Sequence, residues 1–120
     1  MTVGTEEKRQ FLEREYGISR SRMFSSRSTK FAIDIIRETN GRGVDAIVNS
    51  LVGELLDASW RILADGGTMV EIGKRDIVDR NTLAMEPFDR NCSFRAVDLS
   101  YTKHFNEPIV ARFVSNFRFL

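Results

Sequence analysis

Apolar and polar positions form a readable pattern in residues 43 to 74, GVDAIVNSLVGELLDASWRILADGGTMVEIGK, and the rest of the chain is organised around this stretch. Val44 to Val48 is apolar except at its edges, as in a parallel strand covered on both faces. Thr68 to Ile72 is a second strand-like run. Between them, Glu54 to Ala64 has helical spacing: Leu56, Trp60 and Leu63 fall on one side, while Asp57, Arg61 and Asp65 fall elsewhere. Gly66-Gly67 ends that helix and turns into the second strand. Strand, helix, strand at this spacing predicts a βαβ unit with a right-handed crossover. Ligands of parallel sheets lie beyond the carboxyl ends of the strands, here Asn49-Ser50-Leu51 and Gly73-Lys74.

The flanking segments extend the alternation. Thr2 and Val3 read as the tail of a strand. Thr5 is a candidate N-cap for a helix reaching about Tyr16, with Glu6 and Glu7 at its positive end, Phe11 and Leu12 inward and Gly17 at the C′ position. Met23-Phe24 reads as a short strand. A second helix is expected from Ser28 or Thr29 to about Asn40, with Phe31, Ile35 and Ile36 on its apolar side. Residues 75 to 91 read as irregular and charged, broken by Pro87, and a last strand is expected from about Cys92 to Leu99. Phe113 to Leu120 shows no clean period. The order of elements predicts an α/β fold with a parallel sheet.

Composition narrows the function classes. At 120 residues the chain is one domain or part of one. A hydrophobic content of 42% suffices for a core, and the mean hydropathy of −0.27 reads as soluble. The 18 Lys and Arg nearly balance 17 Asp and Glu, against a nucleic-acid-binding surface. No run approaches the roughly 18 apolar residues of a membrane span, and no signal peptide is evident, so the default location is cytoplasmic. One cysteine and one histidine argue against a disulfide framework and a structural zinc site, and no metal ligands are assigned. Cys92 and His104 read as a buried thiol and a surface imidazole. No GxSxG pattern occurs, and GRGVDA lacks the ending of a P-loop.

The segments TVGTEEKRQFL, MFSSRSTKFA, NGRGVDAIVNSL, LDASWRILADGGTMVEIGKRDI and MEPFDRNCSFRAVDL resemble the enoyl-reductase domain of highly reducing, fungal-type polyketide synthases, in the medium-chain dehydrogenase superfamily. The resemblance covers about residues 2 to 99. It implies a Rossmann-type domain that binds NADPH, and hydride transfer to the β-carbon of an α,β-unsaturated thioester on an acyl carrier protein, followed by protonation at the α-carbon. The remaining synthase domains are then partners, and a homodimer of the parent synthase is compatible with it.

The glycine fingerprint GxGxxG of this fold does not occur: Gly41-Arg42-Gly43 runs into Val44, Asp45 and Ala46. By the resemblance, the chain starts at the end of the second strand. The expectation is therefore an incomplete doubly wound parallel sheet without the first strand and glycine-rich loop. Residues 1–99 would form the carboxyl-terminal part of the NADP-binding domain, and residues 100–120 a poorly assigned continuation or truncated tail. In the strand order 3-2-1-4-5-6, loss of strand 1 separates residues 5 to 40 from the βαβ unit and leaves two unpaired edges. Such a fragment is expected to be inactive alone. The rival reading is a non-catalytic relic or interaction module that retains the fold pattern.

The site residues follow from these positions. Gly4, Thr5 and Lys8 follow the first strand, where dinucleotide folds read the ribose 2′ position. A capped, solvated helix start is the favoured reading from the residues alone; the resemblance reverses it for Lys8. Ser26 and Arg27, in a polar turn, read equally as phosphate ligands or as exposed loop. Asn49, Ser50 and Leu51 border the cofactor by position, although Asn and Ser are also common turn residues. Ile72 and Gly73 close the next strand, where glycine permits close approach of a ligand. The resemblance makes Lys74, in EIGK, a proton donor or a positioner of the substrate carbonyl, and Asp98, in AVDL, its acidic partner. Otherwise the two are a solvated lysine and a strand-ending turn residue.

Overall fold

The computed structural model describes residues 1–100. Its elements are β1 (Thr2–Val3), α1 (Glu6–Tyr16), β2 (Phe24–Ser25), α2 (Lys30–Glu38), β3 (Val44–Asn49), α3 (Glu54–Arg61), β4 (Leu63–Glu71), α4 (Arg75–Val78), α5 (Glu86–Asp89) and β5 (Ser93–Ala96), with one 3₁₀ turn at Arg20–Arg22. The strands form two parallel sheets, β1-β2 and β3-β4-β5. This is the α/β, Rossmann-like arrangement expected, divided where a strand between β1 and β3 would join the two halves. The tail expectation falls on residues 101–120, outside the described residues.

Local chemistry sets the ends of α1. The Thr5 hydroxyl accepts the Lys8 N–H at 3.3 Å. Gly17, at φ 63°, closes the helix by donating to Glu13. The inward face expected for α1 is corrected: none of its residues is buried, and Phe11 is 47% exposed. Phe11 and Leu12 instead line a groove between the two sheets.

The crossover also departs from its expected boundaries. α3 stops at Arg61, and Leu63 already belongs to β4. Gly66-Gly67 is an irregularity inside the strand, not a turn before it. Val44 pairs with Leu63, but Ala46 pairs with Thr68, so β4 carries extra residues there. Gly66 takes up the excess at φ 73°. A Cβ on Gly67 would lie 2.8 Å from the Ala64 carbonyl oxygen, so the backbones leave room for no side chain. β3 is also less covered than expected: Asp45, Ala46 and Val48 are exposed, and β3 is an edge strand with Ala46 and Val48 on the wall of a groove. The segment expected to be irregular contains the single-turn helices α4 and α5, and Pro87 sits in the first turn of α5, where its missing N–H costs no helical bond.

Trp60, Leu63, Met69 and Cys92 form the core, with Leu83, Ala84 and Phe94 packed on it. Trp60 is fully buried. Its indole meets Phe88 and Phe94 edge-on, at 4.9 and 5.6 Å between ring centres, and its N–H donates to the Ala84 carbonyl at 2.7 Å. Among the described residues no helix is long and apolar enough to cross a membrane. Trp60→Ala removes both ring contacts and orphans the Ala84 carbonyl; it is expected to lower the unfolding free energy by about 3–5 kcal/mol, read from the urea-unfolding midpoint.

Candidate functional site

The parallel strands bring the sequence-derived residues to the carboxyl edges of the two sheets. At the β1-β2 edge, Arg27 Nε donates to the Gly4 carbonyl at 2.8 Å, and the Ser26 N–H donates to Val3 at 3.3 Å. A Cβ on Gly4 would come within 3.2 Å of Ser26 Oγ, so the glycine keeps this corner open. Lys8 is exposed and forms no ion pair among the described residues. Thr5 is engaged as the helix cap, the plainer of its two readings.

Gly4, Lys8, Ser26, Asn49, Ser50 and Leu51 line one groove of ≈ 880 Å³ running between the sheets. Six of the residues expected around a cofactor are thereby brought together, although they come from three separate segments of the chain. Thr5, Arg27, Ile72, Gly73, Lys74 and Asp98 are not part of its lining.

Lys74 and Asp98 meet beyond the ends of β4 and β5. Lys74 Nζ lies 2.7 Å from Asp98 Oδ2 and donates to Ser100 Oγ at 2.6 Å. Ser100 donates both its hydroxyl and its backbone N–H to Asp98 Oδ1, each at 2.8 Å. The result is a closed triangle of ammonium, carboxylate and hydroxyl. The Lys74 hydrogen bond, helped by Ser100, holds the Asp98 carboxyl below its ordinary value of 3.8. The arrangement fixes the position of the ammonium beside its counter-charge.

Two participants escaped the sequence reading. Ser100 is signalled only by Asp-Leu-Ser, the spacing at which an Asp side chain accepts from a backbone two residues on. Glu71 is the charged residue in an apolar run, Met69-Val70-Glu71-Ile72. It is 2% exposed. Its carboxylate accepts from the Asn49 side-chain amide and from the Gly73 N–H at 2.6 Å. Burial pushes its pKa up, the two hydrogen bonds oppose this, and Asp76 adds to the rise. Asn49 Nδ2 donates also to the Leu51 carbonyl at 2.9 Å, and the Ile72 N–H to the Asn49 carbonyl at 2.9 Å.

Among the described residues no three of His, Cys, Asp and Glu are grouped to hold a metal. Cys92 is buried with its thiol directed to the Ala64 carbonyl, and His104 lies outside the described residues.

Residues 21–115 match the family described as zinc-binding dehydrogenase. The chain is 61% identical over 100 residues to a highly reducing polyketide synthase of Penicillium crustosum, covering 83% of this chain and 4% of that protein. The chain thus spans a small fraction of the length of the curated relatives it matches. Its fold matches the nucleotide-binding subdomain of the enoylreductase domain of PpsC from Mycobacterium tuberculosis, with TM-score 0.79 and 33% identity over 97% of this chain and 63% of that one. It also matches the CurK enoyl reductase, with TM-score 0.71 and 28% identity over 98% of this chain and 33% of that one.

The Asp98 geometry has a direct titration consequence. Its folded pKa is depressed, so its contribution to stability is present above the ordinary carboxylate value and is lost as pH falls through the lower folded value. Carboxyl-carbon NMR should place the Asp98 midpoint below 3.8, and Lys74→Ala should raise it toward 3.8.

Proposed function

Because the chain belongs to the zinc-binding dehydrogenase family, we propose that it is part of the cofactor domain of an NADPH-dependent enoyl reductase, acting in the cytoplasm within a polyketide synthase. Residues 1–99 are the carboxyl-terminal part of that domain. The substrate is an α,β-unsaturated acyl thioester on an acyl carrier protein. The observation that carries the reading is the Lys74–Asp98–Ser100 triangle at the carboxyl edge of a parallel sheet, in a chain whose fold matches an enoylreductase nucleotide-binding subdomain.

The residues present fit the dinucleotide. Gly4 keeps a corner open beside Ser26 and Arg27, and Lys8 offers a cation to a ribose 2′-phosphate from the groove wall. Asn49, Ser50 and Leu51 form the opposite wall. The groove itself is bounded by the free edges of β1 and β3. It suits one further parallel strand, whose glycine-rich turn would supply the pyrophosphate N–H donors. The family's name includes zinc, but the described residues offer no ligand set for it.

The bound NADPH would supply the hydride that reaches the β-carbon. Lys74 then acts on the charge that develops at the thioester oxygen, which a pre-placed ammonium stabilises. The same nitrogen can release a proton to the α-carbon, which balances the hydride. Asp98 offsets the charge of the ammonium before that transfer, Asp98 and Ser100 hold the side chain in place, and solvent returns the proton to the neutral amine afterwards.

Calorimetric titration of NADPH into the parent synthase tests cofactor choice. Lys8→Ala is expected to weaken NADPH binding by about ten- to hundred-fold, the value of one charge-assisted contact, and to leave NADH binding unchanged. Equal weakening of both would remove Lys8 from the 2′-phosphate site. Lys74→Ala is expected to lower kcat by about a hundred-fold or more with little change in the calorimetric Kd for NADPH; an unchanged kcat would refute its role.

A further inference from the structure

Glu71 is unusual among the acidic residues described. It ends the central strand of the three-stranded sheet, is buried, and has no ion-pair partner among the described residues. An isolated buried carboxylate opposes folding, and an apolar or neutral residue would generally cost less. Its value lies in what it holds.

Its two oxygens face donors of fixed sense. The Gly73 N–H can only donate. The Asn49 amide is oriented by the Leu51 carbonyl, which also requires its NH₂ group. A carboxylate satisfies both donors; a glutamine or a protonated acid leaves one of them facing another donor. Through these bonds a single side chain ties the loop after β3 to the loop after β4. Its own backbone carbonyl accepts the Val97 N–H at 2.8 Å, beside Asp98. Gly73 completes the fit. A Cβ there would lie 2.7 Å from Glu71 Oε1 and 3.6 Å from the Ser50 backbone.

Resting on the reading of Lys74 given above, we propose that Glu71 is a positioning residue: it sets the separation between the Asn49–Leu51 wall and the Gly73-Lys74 turn, and thereby aims Lys74 at the reacting carbon. It touches neither substrate nor cofactor. Its effect passes through Lys74.

The test uses the parent synthase with NADPH and an enoyl thioester of N-acetylcysteamine as probe. Glu71→Gln keeps the shape and removes one acceptor. It is expected to lower kcat about ten- to hundred-fold, as a displacement of order 1 Å does. The melting temperature should stay close to the parent value, and the calorimetric Kd for NADPH should change by less than kcat. In a Lys74→Ala background the same substitution should have no further effect on kcat, because the group it aims is gone. Gly73→Ala, which crowds the carboxylate, should reproduce the loss. Multiplying effects of Glu71→Gln and Lys74→Ala, or a kcat loss that only tracks a fall in melting temperature, would make Glu71 purely structural and overturn the proposal. Failure of both Glu71→Gln and Gly73→Ala to fold would overturn it too. If Lys74→Ala leaves kcat intact, the reading of Lys74 fails first; if Lys74→Ala lowers kcat and Glu71→Gln does not, the positioning role alone fails.

Discussion

The arrangement depends on one register. Asn49 pairs with Glu71, and Glu71 with Ala96, across three parallel strands. Parallel pairing sends all three chains out of the sheet in one direction, so the loops that follow share one edge. Lys74 and Asp98 come from different loops, yet their 2.7 Å contact follows from this levelling. A slip of one residue in β4 would turn Glu71 to the opposite face and carry the Ile72 N–H away from the Asn49 carbonyl.

Beneath the edge, Trp60 supports the register through packing. Its ring touches Phe88 of α5 and Phe94 of β5, and its N–H reaches Ala84. One side chain thereby joins the crossover helix, the loop region after α4 and the last strand. Arg90 adds polar ties along the same seam, donating to the Leu63 carbonyl at 2.6 Å and to Glu86 at 2.6 Å. The core holds the strands laterally; the polar contacts at the edge then decide where the loops go.

Much of this was legible in residues 43 to 74, because a βαβ unit writes itself in local periodicity. The cap at Thr5 and the stop at Gly17 were legible for the same reason: each needs only a few neighbouring residues. What escaped depends on contacts distant in sequence. Gly66-Gly67 looks like a turn until Val44 and Ala46 supply the pairing that makes it a bulge. Phe11 looks inward-facing, because an apolar residue on a helix does not reveal whether a partner stands opposite it. α4 and α5 are single turns, too short to show a period. Glu71 is a lone charge in an apolar run, and its burial comes from the chains on either side. The groove could be located from the strand ends, but the division of its lining between Lys8 and Asn49 required both sheets.

The irregularity in β4 has a consequence for tolerance. Leu63 to Thr68 on β4 spans only Val44 to Ala46 on β3. The surplus is gathered near the start of the strand, and pairing from Thr68 onward is regular to Glu71 on both sides. The bulge thus acts as an expansion joint. A change of length between α3 and β4 can be absorbed there, far from the edge where Lys74 stands. An added or removed residue at that joint would leave the chemistry at the other end of the same strand in alignment.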